Sequence, residues 1–172
     1  EEKINGTNFR IITNGNEVSF GARDMIFTEN DYWYNFRATM KKYDIANKTI
    51  ALFNSVKAEH PELKAMTIYG ELFGGYYPGF KSNSGKIIGD TLYTPDIEFL
   101  AYDICVEMER SEFETFPFKY LNEPYMKILF EELKIPYLKT LKIGMLNELF
   151  DIDLRINSTI PSYFGLPDLP EK

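Results

Sequence analysis

Apolar and polar residues alternate from Phe9 to Thr13 and again from Glu17 to Phe20, with Asn14 and Gly15 between the two runs. A period of two marks strands with one buried face, and Asn-Gly supplies the positive φ angles of a tight hairpin turn. A two-residue turn sets Thr13 opposite Asn16, Ile11 opposite Val18 and Phe9 opposite Phe20. Carried three residues further, that register brings Arg23 across from Gly6. A second alternating segment, Ala65 to Gly75, points Met66, Ile68 and Leu72 one way and Thr67, Tyr69 and Glu71 the other. The run Ile97 to Val106 is largely apolar on both faces, as a central strand covered on both sides would be. Strict alternation along it puts Phe99, Ala101, Asp103 and Cys105 on one face.

Helical spacing replaces strand spacing from Asp31 to Lys57. Trp33, Phe36, Met40 and Tyr43 are followed there by Leu52, Phe53 and Val56, which predicts one broken helix or two. Thr28 with Asp31 has the spacing of a capping box that uses Asp in place of Glu. Asn122 to Leu133, with Pro124 in its first turn, and Thr140 to Leu149 are further predicted helices. Residues 76–96 form a loop rich in Gly, Ser, Pro and Lys, long enough to carry function. Its Ser84-Gly85-Lys86 lacks the spacing of a phosphate-binding P-loop.

Three polar positions in this framework invite chemistry. Lys3 precedes Gly6 by three residues and is followed by Asn8 and an apolar strand, the layout of a lysine that accepts a nucleotidyl group. Arg23, returned to the same neighbourhood by the hairpin, is either a clamp on phosphate or ribose oxygens or a surface arginine at a strand end. Glu71, on the polar face before a Gly-Gly bend, either accepts hydrogen bonds from ribose hydroxyls and holds a hydrated cation or simply faces water. Phe99 reads as core from its strand, and as a stacking platform for a purine if a nucleotide pocket adjoins it.

The segments EKINGTNF, FGARD, YGELFGG and EFLAYDI, in this order and at these separations, resemble motifs I, Ia, III and IIIa of the RNA ligase 2 family. That family belongs to the covalent nucleotidyltransferase superfamily, with DNA ligases and capping enzymes. The resemblance covers about the first two thirds of the chain. It implies an α+β nucleotidyltransferase domain of ATP-grasp-like ligase layout, with antiparallel sheets around a nucleotide pocket and helices packed outside. It also implies ATP-dependent joining of RNA ends, with ATP and Mg2+ as cofactors and nicked or paired RNA as partner. Lys3 would be the adenylylated nucleophile. Glu2, Ile4, Asn8 and Arg23 would surround the nucleotide, Glu71 would bind its ribose or a metal's water shell, and Phe99 would stack on adenine. No side chain is singled out as a direct metal ligand. Asn5 departs from the histidine or aspartate common at that position.

Later motifs of the superfamily, a Glu-Gly strand and a strand with lysines two apart, do not occur after Asp103. Residues 1–172 are therefore expected to be part of a longer adenylyltransferase domain and a poor catalyst alone. A DNA ligase, a capping guanylyltransferase or a non-catalytic nucleotide- or RNA-binding module are the alternatives.

Composition adds limits. The 172 residues are 44% hydrophobic with 14 Phe and 12 Tyr, ample for one sheet-rich core. The single cysteine, Cys105, excludes an intrachain disulfide and fits a reducing, intracellular compartment; its apolar strand marks it as a small buried hydrophobe. No apolar run reaches the ~18 residues of a membrane span. His60, the sole histidine, has no companion ligands nearby in sequence. A net charge of −7 requires basic groups to be gathered locally for RNA binding; Lys41, Lys42, Lys48, Lys81 and Lys86 either form an edge around the pocket or, the reading favoured for each, are solvated surface. Oligomeric state is left open.

Overall fold

The computed structural model describes residues 2–82, 85–87, 92–109, 117–150 and 157–167. Among them one antiparallel sheet is formed by β1 (Thr7–Thr13), β2 (Val18–Ala22), β3 (Met25–Ile26), β4 (Leu63–Gly74), β5 (Ile97–Met108) and β6 (Phe118–Tyr120), in the order β3-β2-β1-β4-β5-β6. Its helices are α1 (Phe36–Lys42), α2 (Ile45–Glu59), α3 (Glu123–Glu132) and the short α4 (Leu146–Phe150) and α5 (Ile160–Tyr163). The architecture is α+β, with an antiparallel sheet and helices packed on it.

One sheet face meets α1, α2 and α3. Phe9 and Ile11 of β1, Met66, Ile68 and Leu72 of β4, and Phe99, Ala101, Ile104 and Val106 of β5 point into this core. Phe36 and Met40 of α1, Leu52, Phe53 and Val56 of α2, and Met126, Leu129 and Phe130 of α3 close it from the other side. Each fully buried side chain of this size contributes about 1.5–3 kcal/mol. Thr39 ties α1 to the sheet by donating its hydroxyl to the Ile97 carbonyl at 2.8 Å. The helical run from Asp31 thus resolves into two helices. Thr28 and Asp31 form a turn ahead of them: the Asp31 carboxylate accepts from the Thr28 N–H (2.6 Å) and hydroxyl (2.8 Å). Asn122 caps α3 by accepting from the Tyr125 N–H at 3.0 Å, and Pro124 lies in its first turn. The helix predicted over 140–149 begins only at Leu146, after Gly144, a poor helix former.

The first hairpin differs from the predicted register. Thr13 pairs with Val18 and Ile11 with Phe20, so the loop holds four residues, Asn14 to Glu17. Of its first two residues only Gly15 has positive φ (91°), whereas the two-residue type I′ turn needs both. Side chains close the longer loop instead. Asn14 Oδ1 accepts the N–H groups of Asn16 (3.0 Å) and Glu17 (3.1 Å), and Thr13 donates its hydroxyl to the Glu17 carbonyl at 2.8 Å. Slipping by two keeps every side chain on its face. Arg23 lies beyond the end of β2, in the exposed turn where the chain reverses to pair Ala22 with Met25 of β3.

The second difference lies in β5. Pairing with β4 runs Tyr69 to Asp103 but Gly70 to Ala101, so Tyr102 is an extra residue at a bulge. Strand parity inverts there. Phe99 and Ala101 share the helix-side core with Ile104 and Val106, while Asp103 and Cys105 belong to the opposite face. The outer edge of β5 is covered by β6 and by a segment parallel to it, where the Ala101 N–H donates to the Pro136 carbonyl and the Leu138 N–H to the Ala101 carbonyl, both at 2.9 Å. That pairing sets Leu138 beside the open face of the sheet.

Candidate active site

The segment leading into β1 alternates in burial: Glu2 and Ile4 are buried, Lys3 and Asn5 exposed. Ile4 packs with Phe73, Tyr93, Leu100, Leu138 and Ile160 in a second apolar cluster. The Asn5 N–H donates to the Tyr93 hydroxyl at 3.1 Å. Glu2 is held by the Ser158 hydroxyl and by Thr159, whose N–H and hydroxyl donate to its carboxylate at 2.7 and 2.8 Å. Both neighbours of Lys3 are thus pinned, and its side chain has one way to project.

Gly6 is required for close approach. A Cβ there would lie 2.3 Å from the Leu72 carbonyl oxygen and 2.8 Å from Glu71 Cγ. Gly6→Ala is expected to push the Lys3 segment off β4 and cost about 1–3 kcal/mol, measured as a lowered denaturation midpoint.

Lys3 opens onto a pocket of about 410 Å³ lined by Glu2, Lys3, Ile4, Glu71, Tyr102, Asp103 and Leu138, within the size range of small-ligand sites. Asn8 stands opposite Glu71 in the β1–β4 ladder and donates its side-chain amide to the Tyr102 hydroxyl at 2.7 Å. Burial pushes the Glu71 carboxyl up to about 7, against the opposing pull of the Gly6 N–H and the Lys3 ammonium. Burial, reinforced by the nearby Glu71 carboxylate, also raises the Tyr102 phenol, so the ring stays neutral. An amine, three carboxylates, a carboxamide and an aromatic ring therefore converge over an apolar floor made by Ile4 and Leu138.

A raised carboxyl makes a pH prediction. Folded Glu71 holds its proton to about pH 7, whereas its ordinary value is 4.5. The folded state therefore binds more protons across that window, and stability falls as pH rises from about 4.5 to about 7. Glu71→Gln is expected to flatten this part of a pH–stability profile measured by chemical denaturation.

Of the residues expected at the site, Glu2, Lys3, Ile4 and Glu71 line one cavity, and Asn8 joins them through Tyr102. Two do not join them. Phe99 is fully buried on the helix side of the sheet, edge-on to Phe9 with ring centroids 5.8 Å apart, because the bulge inverts strand parity only after it. Arg23 is exposed in the β2–β3 turn, because the chain reverses there to pair Ala22 with Met25. Glu2, although in the pocket wall, spends its carboxylate on Ser158 and Thr159.

The aromatic ring at the pocket is Tyr102. Its signal was present in the sequence: apolar positions 97, 99 and 101 change parity to 104, 106 and 108 across the polar pair Tyr102-Asp103. Arg10 is a second residue revealed by the sheet. It shares a face of β1 with Asn8, stands opposite Tyr69, and its Nε is buried with no hydrogen-bond partner among the described residues. No group of three or more His, Cys, Asp or Glu placed to hold a metal ion exists among the described residues. Glu71 and Asp103 supply two carboxylates, which suits a magnesium ion that takes its other ligands from water and substrate phosphates. None of the described helices is long and apolar enough to cross a membrane.

A family profile described as RNA ligase matches residues 1–162. The chain belongs to the RNA ligase family. Among solved structures, this RNA ligase family chain is similar to a lysine-to-alanine mutant of Naegleria gruberi RNA ligase with ATP and Mn, with a TM-score of 0.49 and 12% identity. The match covers 86% of this chain and 38% of that one. No curated protein matches. All pocket-lining residues of this RNA ligase family member fall within the matched region.

Proposed function

We propose that residues 1–172 are the part of an adenylyltransferase domain that carries the nucleophile and base-binding face of an ATP-dependent RNA ligase. The observation that carries this reading is Lys3, exposed at a pocket of about 410 Å³ whose other walls include Glu71 and Tyr102. In the first step the Lys3 amine attacks the α-phosphorus of ATP, forming an N–P bond and expelling pyrophosphate. AMP then passes from lysine to the 5′-phosphate of an RNA end, and a 3′-hydroxyl displaces it to form the phosphodiester.

The residues divide this work by chemistry. An ordinary lysine has a pKa near ~10.4, so the amine must lose its proton before attack. Glu71, titrating near 7, is a suitable acceptor for ribose hydroxyl hydrogen bonds and a local sink for a proton. Tyr102 offers its face to adenine, with Asn8 fixing the ring through its hydroxyl. Arg10, on the same sheet face, is the arginine assigned to negative charge on the nucleotide. Magnesium, held by Glu71 or Asp103, would neutralise phosphate charge.

The test is a mass measurement. Full-length protein incubated with magnesium and ATP is expected to gain one AMP on the peptide bearing Lys3. An adduct with GTP alone redirects the reading to a capping enzyme. ATP binding without any adduct redirects it to a non-catalytic nucleotide-binding module.

A further inference from the structure

The lysines expected to edge the nucleotide pocket do not line it. Lys42 and Lys48 gather elsewhere, around a separate depression of about 450 Å³ between the end of α1, the end of α3 and α5, whose lining includes Tyr43, Lys134, Tyr137, Lys139, Tyr163 and Phe164. Lys48 donates its ammonium to the Lys134 carbonyl at 2.7 Å, and the Lys42 ammonium lies 4.9 Å from the centre of the Tyr43 ring. Lys139 stands 3.8 Å over the Tyr137 ring. Glu98, buried, pairs with Lys42, and Glu131 holds Lys139 at 3.1 Å. The charged residues that line the depression are Lys134 and Lys139 against Glu131, one positive charge in excess on a chain whose net charge is −7.

Among the described residues, only one small cavity separates this depression from the Lys3 pocket. A smaller cavity of about 270 Å³ between them shares Leu138 with the Lys3 pocket and shares Tyr137, Lys139 and Tyr163 with the lysine-lined one. The three cavities therefore adjoin in a row from the nucleophile, past Leu138, to the lysines, and this row is the candidate groove. Its aromatic wall is accessible: Tyr163 is 41% exposed and forms an edge-to-face pair with Phe164, ring centroids 5.0 Å apart.

We propose that this groove holds the RNA strand leading away from the reacting end, with one base stacked on Tyr163 and its backbone phosphates against Lys134 and Lys139. Charge complementarity and an exposed aromatic face next to lysines are what single-stranded nucleic acid requires of a binding track. What reacts at Lys3 rests on the ligase reading; what binds in the groove is measured separately.

The experiment uses full-length protein, a short 5′-phosphorylated fluorescent RNA and two readouts, RNA affinity by anisotropy and Lys3–AMP formation by mass. Tyr163→Ala is expected to raise the RNA Kd about 5- to 100-fold. Lys134→Glu with Lys139→Glu is expected to weaken binding and reduce the slope of log K against log salt by about 1.4, the value for two lost phosphate contacts on a single strand. Tyr163→Phe and Lys139→Arg should retain binding. Lys3–AMP formation should persist in every variant, which also shows that each is folded. Unchanged RNA affinity and salt slope in the Ala and Glu variants overturn the groove. So does a concentration-dependent dimer that the same substitutions abolish without affecting RNA. Absence of Lys3–AMP in the wild type overturns the ligase reading, while RNA affinity still decides the groove.

Discussion

Lys3→Ala and Lys3→Arg are both expected to abolish the AMP adduct on incubation with ATP and magnesium, with no change in folding. Among the described residues, Lys3 is the only amine that lines the pocket with Glu71 and Tyr102. Arginine keeps the charge and much of the length, but its guanidinium stays protonated and presents no lone pair for attack on phosphorus. Removing a covalent nucleophile lowers turnover by as much as about 10⁶-fold where this has been measured, which puts the adduct below detection by mass. Because Lys3 is exposed, its loss should leave stability within about 0.5 kcal/mol of wild type. An adduct that survives in Lys3→Ala, or maps to another lysine, would sink the assignment of this pocket.

Phe99→Ala and Tyr102→Ala are expected to fail in opposite ways. Phe99 is exposed to neither solvent nor pocket: it packs against Phe9 within the core between sheet and helices. Truncating a buried phenylalanine costs about 3–5 kcal/mol, a large share of the 5–15 kcal/mol that holds a typical domain together. Denaturation should show that loss directly. Tyr102 is half-buried at the pocket, and losing a base-stacking ring costs about 1–3 kcal/mol of nucleotide affinity. Tyr102→Phe should recover most of that affinity but not the bond from Asn8. If a stably folded Phe99→Leu protein loses ATP binding while Tyr102→Ala keeps it, the two roles must be exchanged.

These substitutions differ because of one extra residue. Up to Ala101 the alternation of β5 can be followed from the sequence, and the strand's central position follows from its apolar faces. The bulge at Tyr102 then reverses which side chains face the helices. The chain reversal after Ala22, which starts β3, has a comparable effect on Arg23. Neither change disturbs the core pattern, since Phe9, Ile11, Met66, Ile68 and Leu72 stay buried as their spacing requires. Patterning of apolar residues is robust to such slips, whereas the aim of a single polar side chain is not.

The sequence by itself determined the strand and helix types, the buried faces of β1 and β4, the motif that marks Lys3, and the placing of Glu71 on the polar side. Those features depend on local periodicity, propensity and spacing, which neighbouring residues encode. Only the tertiary structure decided that Tyr102 rather than Phe99 meets the pocket, that Glu2 is anchored to Ser158 and Thr159, and that Lys42 and Lys48 gather with Lys134 and Lys139. Each of those depends on how segments far apart in the chain pack together, and a bulge, a turn length or a segment crossing can redirect a side chain without altering the pattern around it.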